Sequence, residues 1–257
     1  MENTEPLNIL IAEDSTFNQL VIERIMQELN NNYTIVENGQ LAIDKSIINK
    51  YDLILMDIEM PVLNGSDATK LIKSDVNNMN HSTPVIGFTS HISPAKQKEF
   101  LELGMEDIIS KPFNRESIKV VCDKYLTRKQ SKTSQKNNTF NENKIIEYNL
   151  SYLEEFTGGD KTFIKEMLSY FVVNTPMVLQ NMENAINQSN WEELKFLAHK
   201  YSSEISFVGV QSIAKNLDDI ENYSFENINI AEIKDLFKNV SDECHQVTDK
   251  IKIDYNL

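Results

Sequence analysis

The sequence predicts an α/β domain built on a doubly wound five-stranded parallel sheet, followed by an all-α four-helix bundle. Three observations carry this. In the first half, short apolar runs alternate five times with stretches of helical periodicity, as repeated βα units do. A polar run from Arg128 to Asn138 then contains no apolar residue. Beyond it no convincing strand remains, and apolar residues recur at helical spacing.

Strands are expected over 7–12, 33–36, 51–56, 85–89 and 107–109, with helices over 16–29, 39–48, 67–75, 94–103 and 114–126. The first, third and fourth runs are almost continuously apolar, which suits a parallel sheet covered on both faces. Asn38-Gly39, Asn64-Gly65 and Gly104 punctuate the turns between elements. The run 128–138 has no apolar group to contribute to a core, and 128–144 is expected to be a flexible linker between domains at 1–127 and 145–257.

In the second half, Phe163, Met167, Tyr170, Phe171 and Val178 open one helical stripe, with Pro176 as its kink or middle turn. After Asn190, a cap residue, Leu194, Leu197, Ala198, Tyr201 and Ile205 form a second stripe. Ile213, Leu217 and Ile220 form a third, and Ile233, Phe237, Val240, His245, Val247 and Ile251 a fourth of less regular period. Four amphipathic helices of this length make an antiparallel bundle.

Composition bounds the function. At 257 residues and 40% hydrophobic, the chain can build two cores. A formal charge of -14 argues against a nucleic-acid surface, which needs clustered Lys and Arg. No apolar stretch approaches the roughly 20 residues of a membrane span, and the acidic start, from Met1 to Pro6, is not a signal peptide. Cys122 and Cys244 have no metal-ligand spacing and are expected as free thiols of a cytoplasmic protein. Nor do any two histidines have zinc-ligand spacing.

Polar groups stand where four of the strands stop: Glu13 and Asp14, then Asp57, Thr89 and Lys111. The strand ends of an open parallel sheet share one rim, where ligands bind. Singly, each has a structural alternative as a turn or cap residue. Together they supply carboxylates for Mg²⁺, a carboxylate nucleophile, and a hydroxyl and an ammonium for phosphoryl oxygens. A phosphate hydrolase of another fold is set aside, because the candidate nucleophile lies on the third strand rather than in a DxD pair on the first.

These segments resemble a response-regulator receiver domain over residues 7–126. The matching residues are Ile9-Leu10-Ile11-Ala12-Glu13-Asp14, Met56-Asp57-Ile58-Glu59-Met60-Pro61-Val62-Leu63-Asn64-Gly65, Gly87-Phe88-Thr89-Ser90 and Ser110-Lys111-Pro112-Phe113. The resemblance implies a flavodoxin-like fold with Asp57 as phospho-acceptor. It also implies Mg²⁺ or Mn²⁺ held by Glu13, Asp14, Asp57 and the Glu59 carbonyl, with Thr89 and Lys111 on the phosphoryl group. One departure is Ile108, where such domains carry Tyr or Phe and couple phosphorylation to an output face. Glu59 and His91 occupy positions that in the family tune the lifetime of the phosphoryl group.

In the second half, His199 falls off the apolar stripe at 100° per residue, with Lys195, Ser202, Ser203 and Ser206 on its face, so it is expected to point outward. The segment from about Tyr148 to Ile253 resembles a histidine phosphotransfer domain. It does so through Leu150-Ser151-Tyr152-Leu153, Thr157-Gly158-Gly159-Asp160-Lys161-Thr162-Phe163, Ala198-His199-Lys200, Phe207-Val208-Gly209-Val210 and Leu217-Asp218-Asp219-Ile220-Glu221. This implies that His199 is a second phospho-acceptor. Ser202 stands where the family has Lys or Arg and Ser203 where it often has Gly, and Lys195 is the nearest substitute cation.

The joint resemblance implies a two-component phosphorelay carrier. It takes the phosphoryl group from a sensor histidine kinase and passes it between Asp57, His199 and a downstream receiver or phosphotransfer protein. No ATP-binding kinase region and no DNA-binding helix-turn-helix is expected, nor any membrane insertion. The alternative is a receiver whose bundle docks partners without accepting phosphate.

Overall fold

The computed structural model describes residues 6–90, 94–126, 148–226 and 230–257. The chain divides into two compact units, Met1–Thr139 and Phe140–Leu257. His91 and the polar segment 128–144 lie outside the described residues.

In the first unit five strands, β1 (Asn8–Ala12), β2 (Asn32–Val36), β3 (Leu53–Asp57), β4 (Val85–Thr89) and β5 (Asp107–Ser110), alternate with five helices. The helices are α1 (Thr16–Glu28), α2 (Gly39–Ile48), α3 (Gly65–Ser74), α4 (Pro94–Glu102) and α5 (Arg115–Leu126). Every pairing is parallel, in the order β2-β1-β3-β4-β5. Leu10, Ala12, Ile54 and Met56 pack with Ala42, Ala68, Ile72 and Phe100 in one core layer. Ile9, Ile11, Leu53 and Leu55, out of phase by one residue, face the opposite side and are fully buried. Both faces of the central strands are thus covered, which is why their sequence is continuously apolar.

Helix starts follow their caps. The side chains of Ser15, Asn38 and Asn64 accept from the backbone N–H groups of Asn18, Leu41 and Asp67. The Asn64 cap starts α3 at Gly65 rather than at the expected 67. A Cβ at Gly65 would lie 1.9 Å from the Asp57 carbonyl oxygen, so only glycine lets the helix begin against the end of β3.

Between these elements the Leu63 N–H donates to the Pro61 carbonyl at 2.8 Å, closing a three-residue γ-turn around Val62. Val62 has φ 69°, a costly conformation for a β-branched side chain. It is also 83% exposed, so packing returns nothing for that cost. Val62→Gly is expected to raise stability by about 1 kcal/mol. A higher urea midpoint at unchanged slope would show it, and a lower midpoint would refute the strain.

The second unit contains a short helix, α6 (Ser151–Thr157), and four long ones: α7 (Lys161–Asn187), α8 (Trp191–Val208), α9 (Gln211–Glu226) and α10 (Ile230–Tyr255). α8 packs on α7 and α9, and α10 on α9 and α7, which closes a four-helix bundle. α7 runs through Pro176 as one helix. Proline cannot donate to the carbonyl of Val172, and the preceding turn is reinforced from side chains. Asn174 Nδ2 donates to the Tyr170 carbonyl at 2.8 Å and Thr175 Oγ1 to that of Phe171 at 2.7 Å.

Two stripes differ from expectation. On α7 the buried arc is Ile164, Met167, Leu168, Phe171, Thr175, Leu179 and Met182, whereas Phe163, Tyr170 and Val178 are half-buried on its flank. Polar Thr175 can lie inside because its hydroxyl meets Tyr201 Oη at 2.8 Å as well as the Phe171 carbonyl. On α10, Cys244 fills the buried position and His245 is exposed. Reading cysteine as a small apolar group restores a regular period through Val240, Cys244, Val247 and Ile251. Burial pushes both thiols, Cys122 and Cys244, up to about 12, which keeps them protonated.

Among the described residues no helix is long and apolar enough to cross a membrane.

Candidate functional site

Sheet register assembles the site in the first unit. Ala12 pairs with Met56, Asp57 with Phe88, and Thr89 with Ser110. One residue further on each strand, Glu13, Asp57, Thr89 and Lys111 line up along the carboxyl rim. β1 and β3 lie at the point where strand order reverses, the place where open α/β sheets bind ligands.

Lys111 Nζ sits 2.6 Å from Asp57 Oδ2 and 2.8 Å from Glu13 Oε2. Glu13, Asp57 and Lys111 are all buried, as is Thr89 at the end of β4. The other oxygen of Glu13, Oε1, accepts from the Ser15 backbone N–H at 3.2 Å and from Asn18 Nδ2 at 2.9 Å. Asp57 Oδ1 accepts from the Glu59 backbone N–H at 3.3 Å, so the turn after β3 closes onto the carboxylate. The backbone of Glu59 is therefore at the site. Ile108 is half-buried against the core layer.

Carboxylate oxygens of Glu13, Asp14 and Asp57 all lie within 4.8 Å of one another. Burial raises the Asp57 carboxyl to about 8, with the Glu13 charge adding to the rise and Lys111 opposing it. For Lys111, burial acts to lower the ammonium, but Asp57 and Glu13 outweigh it and hold the group above its ordinary value. One ammonium bridging two of three carboxylates leaves negative charge over. A set of hard oxygen donors with surplus negative charge fits a small divalent cation such as Mg²⁺ or Mn²⁺.

In the second unit, His199 Nδ1 on α8 lies 3.2 Å from Glu221 Oε2 on α9. A carboxylate only accepts, so in this pair Nδ1 carries the proton, and in the neutral ring Nε2 carries the lone pair. One turn on, Ser202 Oγ donates to Asp218 Oδ1 at 2.8 Å. Within the bundle, the His199 face carries two carboxylates of α9, Glu221 at Nδ1 and Asp218 at the Ser202 hydroxyl, beside the small and polar residues expected there. Counting around a helix gives the angle from its own stripe and not the position of the neighbouring helix.

The structure thus brings Glu13, Asp14, Asp57 and Lys111 into direct contact or near it, with Thr89 on the adjoining strand end. Three further residues were not assigned a role from the sequence: Asn18, Asp218 and Glu221. Asn18 follows Glu13 by five positions across a cap, a spacing without a helical or strand period, so only the Ser15 cap hinted at it. Asp218 and Glu221 flank Leu217 and Ile220 of the third stripe, which points them along the α8 interface.

Comparison with known proteins divides the chain the same way. Residues 9–123 match the response regulator receiver domain family and residues 166–249 the Hpt domain family. Two-component response regulator 24 of Arabidopsis thaliana is 35% identical over 107 residues, 41% of this chain and 74% of that protein. Hybrid signal transduction histidine kinase I of Dictyostelium discoideum is 35% identical over 146 residues, 54% of this chain but only 8% of the kinase. The Escherichia coli histidine-protein kinase BarA is 24% identical over 221 residues, 84% of this chain and 24% of its own length. Among solved structures, the receiver domain of a Pseudomonas aeruginosa sensor histidine kinase, crystallised with magnesium in its active-site cleft, is 32% identical. It aligns with a TM-score of 0.44 over 48% of this chain and 98% of that domain.

Proposed function

We propose that this chain, which belongs to the response-regulator receiver family and carries an Hpt domain after its receiver, moves a phosphoryl group between Asp57 and His199 within a two-component phosphorelay. The observation that carries the reading is the buried contact of Lys111 with both Asp57 and Glu13, beside Asp14.

The ionised Asp57 attacks phosphorus of a phosphohistidine; the new O–P bond forms as the N–P bond breaks, and the donor imidazole takes up a proton. Lys111 shifts from the carboxylate to a phosphoryl oxygen, and the Thr89 hydroxyl donates to another. Glu13 and Asp14, with Asp57 and the Glu59 carbonyl, would hold Mg²⁺ or Mn²⁺, which when bound neutralises charge on the transferring oxygens. At the second site, Glu221 keeps the proton on Nδ1, so the Nε2 lone pair of His199 is the nucleophile toward phosphorus. The partners this requires are a sensor histidine kinase and a downstream receiver or Hpt protein.

A second reading rests on Ser202. Its hydroxyl is engaged with Asp218, and it offers no positive charge to a phosphoryl group on His199. The bundle would then dock partners without accepting phosphate.

With a small acyl phosphate and Mg²⁺, the receiver is expected to take up a base-labile label, and excess chelator to abolish it. Undiminished labelling in chelator would remove the metal from the reading. An acid-labile label that disappears in His199→Gln supports His199 as acceptor; its absence from the wild type favours the docking module.

A further inference from the structure

We infer that Asn18 is a positioning residue for the divalent cation, acting through Glu13; this rests on the metal-assisted reading of the Asp57 site given above. Glu13 differs from Asp14 and Asp57 in having one more rotatable bond, so its carboxylate has more orientations to lose when it is fixed. The structure assigns its two oxygens different tasks. Oε1 is tied to the start of α1, by the Ser15 N–H at 3.2 Å and Asn18 Nδ2 at 2.9 Å. Oε2 is turned toward Lys111, 2.8 Å away, on the side of Asp57. Without the Asn18 donor, Oε1 keeps only the longer bond from the Ser15 N–H, so the carboxylate is held less firmly about its last bond.

Packing does not account for an amide here. Asn18 is 1% exposed and stands among Phe17, Val21 and Ile22, all fully buried. An apolar residue would suit that helix face, and a buried amide is costly unless it is bonded. Its orientation is set by chemistry: a carboxylate cannot donate, so Nδ2 faces Glu13. Asn18 Oδ1 is then a buried acceptor with no hydrogen-bond partner among the described residues. An amide kept at this position at the cost of an unsatisfied oxygen points to its donor, the Nδ2 bond to Glu13, as the group that is needed. Asn18 therefore holds one ligand of the ion in place through Nδ2.

The test uses the full chain, titrated with Mg²⁺ by calorimetry and by thermal shift, for wild type, Asn18→Leu and Glu13→Gln. In Asn18→Leu the Mg²⁺ dissociation constant is expected to rise ~10-fold, as when other outer-sphere partners of metal ligands are lost. The Mg²⁺ concentration giving half-maximal labelling should rise by the same factor, while the rate at saturating Mg²⁺ is preserved. Metal-free melting should stay level or rise, because an apolar side chain replaces a buried amide. If Asn18→Leu does not fold, Asn18→Ala takes its place with the same expectation for the dissociation constant, its metal-free melting falling with the cavity it leaves. An unchanged dissociation constant in a folded variant, with wild type binding and Glu13→Gln impaired, overturns the clamp alone. Wild type that binds no Mg²⁺ overturns the metal reading and the clamp with it.

Discussion

In the Asp57→Asn chain, phosphoryl uptake by the receiver is expected to fall by at least ~10³-fold, the scale on which loss of a nucleophile is felt. The amide keeps the size of the side chain but has no anionic oxygen to attack phosphorus. Glu13, also buried on the rim, cannot replace it. Glu13 has both oxygens committed, Oε1 to Ser15 and Asn18 and Oε2 to Lys111. The same substitution has a stability signature of defined sign. Burial and the Glu13 charge raise Asp57 from 3.8 to about 8 in the metal-free fold. The folded state therefore holds a proton that the unfolded chain releases near pH 4. Between about pH 4 and pH 8 the folded state binds more protons, so stability falls as pH rises through that window. Asp57→Asn removes this dependence. Metal-free melting of the wild-type receiver should drop from pH 5 to pH 8 relative to the variant. A difference of opposite sign would contradict the raised carboxyl.

Lys111→Met is expected to lower receiver stability by about 3 kcal/mol at neutral pH without metal, as when one member of a buried ion pair is lost. The methionine fills the volume of the stem, but Asp57 and Glu13 then face each other without the ammonium that bridges them at 2.6 and 2.8 Å. Protonation of Asp57 absorbs part of the repulsion, so the loss should be greater at pH 8 than at pH 5. Mg²⁺ should restore part of it, since a cation answers the same charge. Labelling of Asp57 should fall ~10²- to 10³-fold even at saturating Mg²⁺, because a fixed donor to the transferring oxygens is gone. Wild-type stability in Lys111→Met would show that the ion pair contributes nothing to the fold.

Much of the receiver site was legible because its chemistry lies at strand ends. Continuous apolar runs locate β1, β3 and β4, and the first polar residue after each locates the rim. Nothing tertiary is needed to see Glu13, Asp57, Thr89 and Lys111 as neighbours once the sheet is parallel. What escaped depends on contacts between elements. The start of α3 at Gly65 follows from the close approach of the Asp57 carbonyl, and that approach is invisible to propensity. Asn18 reads as a polar residue near a helix start until its amide is found on Glu13. In the bundle, the α7 arc differs from its sequence pattern because aromatic Phe163 and Tyr170 lie on its flank while polar Thr175 lies inside. Helical angles set His199 off its own stripe but do not reveal that α9 presents Glu221 and Asp218 to the same face.

The central claim is transfer between two acceptors on one chain, and mapped phosphorylation tests it most directly. Wild type, Asp57→Asn and His199→Gln are each incubated with a small acyl phosphate and Mg²⁺, and labelled residues are assigned by acid and base lability and by peptide mass. Wild type is expected to carry a base-labile label at Asp57 and, with time, an acid-labile label at His199. His199→Gln should keep only the first, and Asp57→Asn should carry neither. Wild-type levels of label in the first unit of Asp57→Asn, or an acid-labile label that persists in His199→Gln, would contradict it.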